Sequence, residues 1–95
     1  MILVSLDDPK PKPEKKERIN LDVLARHFKD GERVTLDAIK ERVSRFNRKA
    51  TYIKVLARGS LDKRLIVEAD DFSVQAAKMI LLTGGEVIET ISSPD

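Results

Sequence analysis

Apolar positions along the chain change period several times, and each change predicts an element. Leu21, Leu24, Ala25 and Phe28 recur at helical spacing, with Asp22 as the expected N-cap and Asp30-Gly31 as a natural stop. Arg33-Val34 predicts a very short strand. Thr35 is a second N-cap, and Leu36, Ile39 and Val43 mark one face of a second helix. Residues 42–50, RVSRFNRKA, read as a basic, irregular connection. Residues 52–57 form a near-continuous apolar run broken by Lys54, the pattern of a buried strand with Tyr52 in the core. Arg58-Gly59-Ser60 supplies a turn. Over residues 64–70 the alternation is clean: Leu65, Val67 and Ala69 take one face, Arg64, Glu68 and Asp70 the other, with Ile66 on the polar side. Ser73 caps a third helix whose core stripe is Val74, Ala77 and Leu81, with Ile80 beside it and Phe72 placed as a hydrophobic staple. Gly84-Gly85 ends that helix through left-handed geometry. Residues 86–91 close as a strand.

Strands alternating with about three helices predict a small single α/β domain with a mixed sheet and right-handed crossovers. Ahead of it, DDPKPKPEKKE (residues 7–17) alternates proline with charge, which favours an extended, solvated, polyproline-like segment. The expected organisation is a tail and linker over residues 1–18, the domain over 19–91 and a C-terminal tail over 92–95. MILVSL, residues 1–6, is apolar. It is either a disordered tip or a strand that adds to a sheet edge, joining a protein partner or a second copy. It is short and runs into Asp7 and Asp8, unlike a secretory signal, and no run approaches the roughly 20 apolar residues of a membrane span. The expected location is cytoplasmic.

Composition sharpens this picture in three ways. Aromatic residues are only 4% of the chain, so aliphatic side chains must fill the core. There is no cysteine, which excludes a disulfide framework and a thiolate metal site. The net charge of +2 hides an uneven distribution: residues 1–50 hold 13 Lys/Arg against 9 Asp/Glu, residues 51–95 only 5 against 7. A basic half beside an acidic half points to an anionic partner.

Catalytic chemistry finds no foothold. His27 is the sole histidine and reads as an exposed residue near a helix end. The serines lie in caps, turns and tails, without a nucleophile elbow, and the glycines match no phosphate-binding loop. Asp70-Asp71 is the only adjacent carboxylate pair within the expected domain; neighbours on a strand end point to opposite sides, and their place before a helix suits charge stabilisation at its N-terminus. No catalytic residue, cofactor or metal is expected. The cations make the better case. Arg42, Arg45, Arg48 and Lys49 crowd the connection after the second helix, and Arg58, Lys63 and Arg64 flank the glycine turn. Such loops grip phosphates with little demand on base identity, although a merely solvated surface carries the same charges. Phe46 and Tyr52 are the only aromatics nearby, too few for binding by base stacking.

The order of three segments is more specific than any one of them. INLDVLARHFKDGERVTLDAI, IKVLARGSLDKRLIVEADDFS and AAKMILLTGGEVIE together resemble the globular domain of the large-subunit ribosomal protein L-fifteen family, which includes the L-eighteen-e proteins. The family's features fall on Asn20-Leu21-Asp22, Gly31 with Val34-Thr35, Val55-Leu56 with Gly59, Lys63-Arg64, and Gly84-Gly85, over residues 19–89. Two departures accompany the match. The family's long basic, glycine-rich N-terminal extension is replaced by the proline–charge tail. The segment before the last helix, usually basic, reads Glu68-Ala69-Asp70-Asp71 here. The resemblance implies a non-catalytic component of the large ribosomal subunit, contacting ribosomal RNA or neighbouring subunit proteins. Arg45, Arg48, Lys49, Arg58, Lys63 and Arg64 are the expected phosphate contacts. The alternative is a protein-interaction module that keeps the fold without the RNA role.

Overall fold

Short helices start where backbone donors find an acceptor or a strand ends. The structure, a computed structural model, describes residues 15–90; the expectations for residues 1–6 and for the C-terminal tail lie outside them. The helices among the described residues are α1 (Leu21–His27), α2 (Leu36–Arg42) and α3 (Val74–Leu82). The Thr35 hydroxyl accepts from the Ala38 N–H at 3.1 Å, and the Ser73 hydroxyl from the Ala76 N–H at 3.1 Å. Each satisfies a donor that the first helical turn leaves unpaired. Helix α1 differs from expectation. Asn20, not Asp22, occupies its cap position, and the Asn20 side chain makes no capping bond. At the other end of α1 the Lys63 ammonium donates to the Ala25 and Phe28 carbonyls, filling the role that cations play at helix C-termini.

The strands of the described residues follow in chain order: β1 (Lys16–Asn20), β2 (Arg33–Val34), β3 (Tyr52–Leu56), β4 (Ile66–Ala69), β5 (Asp71–Phe72) and β6 (Glu86–Glu89). They form two three-stranded parallel sheets rather than one sheet, in the orders β1-β3-β5 and β2-β4-β6. The division arises at Asp70. The apolar run that starts at Ile66 pairs with β2 and β6 as far as Ala69, turns at Asp70, and pairs with β3 from Asp71. The Asp70 N–H donates to the Ile53 carbonyl (3.1 Å), and Asp70 Oδ2 accepts from the Ile53 N–H (2.9 Å). Its other carboxylate oxygen accepts from the Thr90 hydroxyl at 3.2 Å. Strand β1 also reaches into sequence that composition alone places in the linker: Lys16 pairs with Tyr52, Glu17 with Ile53 and Arg18 with Lys54.

Leu65, Val67 and Ala69 turn inward as the alternation requires and meet Leu24, Phe28, Ile53, Val55 and Ile80 in one core. Two expectations about facing are overturned. On α3 the buried side chains are Ala76 and Ile80, while Val74 is 82% and Leu81 56% exposed. Seven of the nine α3 residues are apolar, so periodicity cannot choose the buried side. Tyr52 is half-buried on the outer face of its sheet, not a core residue.

The glycine pair then fixes the end of α3. Gly84 (φ +88°) donates to the Leu81 carbonyl at 3.0 Å and Gly85 to the Ile80 carbonyl at 2.9 Å, the paired bonds of a Schellman stop. Gly85 is needed for space instead: a Cβ there would run into the Leu65 carbonyl oxygen, and that oxygen accepts the Glu86 N–H at 3.0 Å. A second brace joins α1 to α2. The Arg42 guanidinium lies 4.6 Å from the Phe28 ring centre and binds Glu32 through two contacts of 2.7 and 3.0 Å. Glu32 Oε1 also accepts the Lys29 N–H at 2.7 Å. Hydrogen bonds from Arg42, and then from the Lys29 N–H, push the Glu32 pKa down to about 2, and the same pairing raises that of Arg42.

Two outcomes are expected. In urea denaturation Gly84→Ala should cost about 1 kcal/mol, the penalty for a side chain in left-handed backbone. Gly85→Ala should cost more, about 3 kcal/mol, because the carbonyl it strikes belongs to the central strand pairing. Acid should also expose the Glu32 brace. Because its folded-state pKa is about 2 against the ordinary 4.5, its contribution is complete above pH 4.5 and lost as pH falls toward 2. The stability gap between the parent chain and Glu32→Gln should therefore close over that window when thermal unfolding is followed against pH.

Candidate nucleic-acid interface

Helix α1 is the scaffold on which both basic loops rest. On one side the loop between β3 and β4 is tied to it: the Asp22 N–H donates to the Arg58 carbonyl at 3.1 Å, and Lys63 holds the helix end. The loop continues into the turn after α1, where the Arg64 N–H donates to Asp30 Oδ1 (2.7 Å) and its carbonyl accepts the Gly31 N–H (2.6 Å). Gly59 (φ +81°) sits against the Asp22 side chain, leaving no space for a Cβ. On the other side of α1, Val23 shares two grooves with Val43 and Arg45 from the connection after α2.

These anchors sort the six expected cations. Arg45, Arg48, Lys49, Arg58 and Arg64 are exposed, and their charged groups have no carboxylate or hydrogen-bond partner among the described residues. Lys63 is half-buried, with its ammonium directed to the α1 carbonyls. Arg42, in the same sequence run as Arg45, is taken up by Glu32, and Arg33 and Lys54 pair with Glu68 (3.1 Å) and Asp71 (3.7 Å). The structure therefore brings Arg45, Arg48 and Lys49 together on one loop and sets Arg58 and Arg64 at the two ends of another. Chain order alone cannot tell these from the braced cations.

Two groups of residues were missed by sequence reasoning. Lys16, Arg18, Tyr52, Lys54 and Asp71 line an open concavity of about 570 Å³ on the outer face of the first sheet, with Lys16 5.2 Å from the Tyr52 ring centre. The available signal was the alternation of Lys16 and Arg18, which marks one strand face once residues 16–18 are read as strand. A second groove, about 310 Å³, runs between β1 and the 43–47 bend, and Arg18 borders this one as well.

The acidic corner is occupied structurally. Glu68 holds Arg33; Asp70 serves the Ile53 N–H and the Thr90 hydroxyl; Asp71 lies beside Lys54 and 3.5 Å from the Tyr52 hydroxyl. The two aspartates do point apart, but they bridge strands instead of decorating the start of α3. His27 is half-buried, not exposed, and its Nδ1 lies 2.9 Å from the Val23 carbonyl, to which only a protonated Nδ1 can donate. Among the described residues no group of His, Asp or Glu could hold a metal ion, and no helix is long and apolar enough to cross a membrane.

Comparison with known proteins gives a consistent result. The model of a family of ribosomal proteins, described as 50S-L15, 50S-L18e and their 60S counterpart, matches residues 18–88. The chain is 41% identical over 76 residues to the large ribosomal subunit protein uL15 of Desulfovibrio desulfuricans, covering 80% of this chain and 48% of that protein. It is 31% identical over 80 residues to the uL15 protein of Treponema denticola, covering 82% of this chain and 53% of the relative. The chain thus spans about half the length of the curated relatives it matches. The family match takes in the three helices and every described strand of both sheets, cutting only into the ends of β1 and β6, and on that extent the chain belongs to the ribosomal protein family of 50S-L15, 50S-L18e and their 60S counterpart.

Proposed function

We propose that this chain is a non-catalytic, cytoplasmic component of the large ribosomal subunit that binds ribosomal RNA through phosphate contacts. The observation that carries the reading is the split between braced and unbraced cations. Arg26, Arg33, Arg42 and Lys54 have carboxylate partners, whereas Arg45, Arg48, Lys49, Arg58 and Arg64 have none among the described residues. Cations without an internal partner keep their full attraction for phosphate, and they release counterions from RNA when they bind. Lys63 belongs to the same loop but acts differently, holding the end of α1 and so keeping Arg58 and Arg64 in place. Arg18 joins the contact set from β1. The uL15 names of the relatives support the ribosomal assignment; a protein-interaction module without RNA contact draws no support from them.

Two measurements test this. Co-sedimentation with ribosomes at low and then moderate salt should place the chain with the large subunit; a chain that stays at the top of the gradient even at low salt sinks the reading. In direct RNA binding, replacing Arg45, Arg48 and Lys49 together by alanine should flatten the dependence of log affinity on log salt by about 2, at roughly 0.7 per lost phosphate contact on single-stranded RNA. Lys63→Ala should instead act on the fold, costing about 1.5 kcal/mol in denaturation as charge-assisted bonds to two carbonyls disappear. An unchanged salt slope in the triple variant would remove that loop from the interface.

A further inference from the structure

We propose that the groove between β1 and the 43–47 bend holds one unstacked nucleobase of single-stranded RNA, with the Asn20 amide reading its edge; this rests on the RNA-binding reading above. The motivating anomaly is Asn20. Asparagine is among the best N-cap residues because its side chain accepts a helix N–H, and Asn20 occupies the cap position of α1. Yet it makes no cap bond, and its amide has no other partner among the described residues. It lines the groove instead. A half-buried amide left this way offers two donors and an acceptor, the complement of a base edge.

The rest of the groove fits the same ligand. Its volume of about 310 Å³ lies at the low end of the roughly 300–1,000 Å³ of small-ligand pockets, suited to one flat group and not to a helix or a duplex. Val23, Val43 and Phe46 pack on the core from one side and face the groove with the other, giving a base an apolar wall and an aromatic ring. Its second amide is already committed: Asn47 Nδ2 donates to Glu17 Oε2 at 3.0 Å, and Asn47 Oδ1 accepts the Lys49 N–H at 2.9 Å. That latch closes the wall and neutralises part of the demand of Glu17, leaving Asn20 to read the base. Arg18 and Arg45, exposed and unpaired among the described residues, border the groove from its two sides, where the phosphates flanking an inserted base would lie. Single-stranded RNA is recognised by this combination of stacking, edge hydrogen bonds and flanking cations. An acidic peptide would satisfy the two arginines but would leave the amide and the aromatic wall without a matched group.

The test compares two eight-nucleotide RNAs of equal charge, one with mixed bases and one abasic throughout, in anisotropy titrations with the full chain. The base-bearing RNA should bind about tenfold more tightly, the order expected for one stacked base. Asn20→Ala should lower that ratio severalfold without lowering Tm, because the edge hydrogen bonds go while no cap bond is lost, and Asn20→Asp should lower it as well because a carboxylate has no donor for the base edge. Equal affinity of the parent chain for the two RNAs would overturn the base site while leaving the phosphate reading intact. Failure to bind either RNA would overturn both. A fall in Tm for Asn20→Ala that matches its loss of affinity would make the residue structural and overturn the proposal. So would saturable binding of an acidic peptide in the groove that the base-bearing RNA fails to displace.

Discussion

The architecture hangs on a change of partner at one residue. At Asp70 the chain leaves the centre of one parallel sheet and joins the edge of the other, and the backbone of Ile53 receives it on both its N–H and its carbonyl. A side-chain oxygen stands in for the strand bond that the crossing backbone cannot supply, and charge assistance makes that bond stronger than a neutral one. Because β3 and β4 are the middle strands of their sheets, this single residue couples the two centres. Both basic loops hang from the strands so coupled, and α1 anchors them from the other side. The connection after α2 leads into β3, and the glycine turn joins β3 to β4.

Local chemistry was legible from the sequence where one residue type has one physical job. Thr35 and Ser73 cap, Gly84 takes a positive φ, and the alternation of Leu65, Val67 and Ala69 survives into the core. Legibility failed where tertiary pairing decides. Strand β5 is two residues long and has no period of its own. The start of β1 is charged and follows prolines, so only its register with β3 identifies it as strand. Helix α3 is apolar almost all round, and its rotation is set by the close approach of Gly85 to Leu65 and by the cap at Ser73. Lys63 and Arg64 are adjacent in sequence, yet one faces the end of α1 and the other faces solvent.

Charge balance taken residue by residue tells a different story from the total. A net charge of +2 suggests little, but Glu68, Asp71, Glu32 and Asp70 are taken up within the fold, by Arg33, Lys54, Arg42 and the backbone of Ile53. Most of the cations that remain unmatched among the described residues lie on loops and on β1, with Lys40 and Lys78 on the helices. The acidic segment before α3 therefore adds less repulsion at the surface than its sequence implies, since its carboxylates are turned toward partners of opposite sign or toward donors.

The strict interleaving of the two sheets has a consequence for the order in which the chain can fold. Odd-numbered strands build one sheet and even-numbered strands the other, so neither can be assembled from any contiguous half of the sequence. The strand pairs of the described residues are all parallel and non-local, a topology that makes ordering slow relative to helical bundles. During synthesis a nascent chain halted before residue 86 would present β4 with one edge still open and Leu65 without its Gly85-Glu86 cover. Until β6 clears the exit tunnel the second sheet is incomplete although the first already has its three strands, and that open edge is a place where chaperones or other nascent chains can bind.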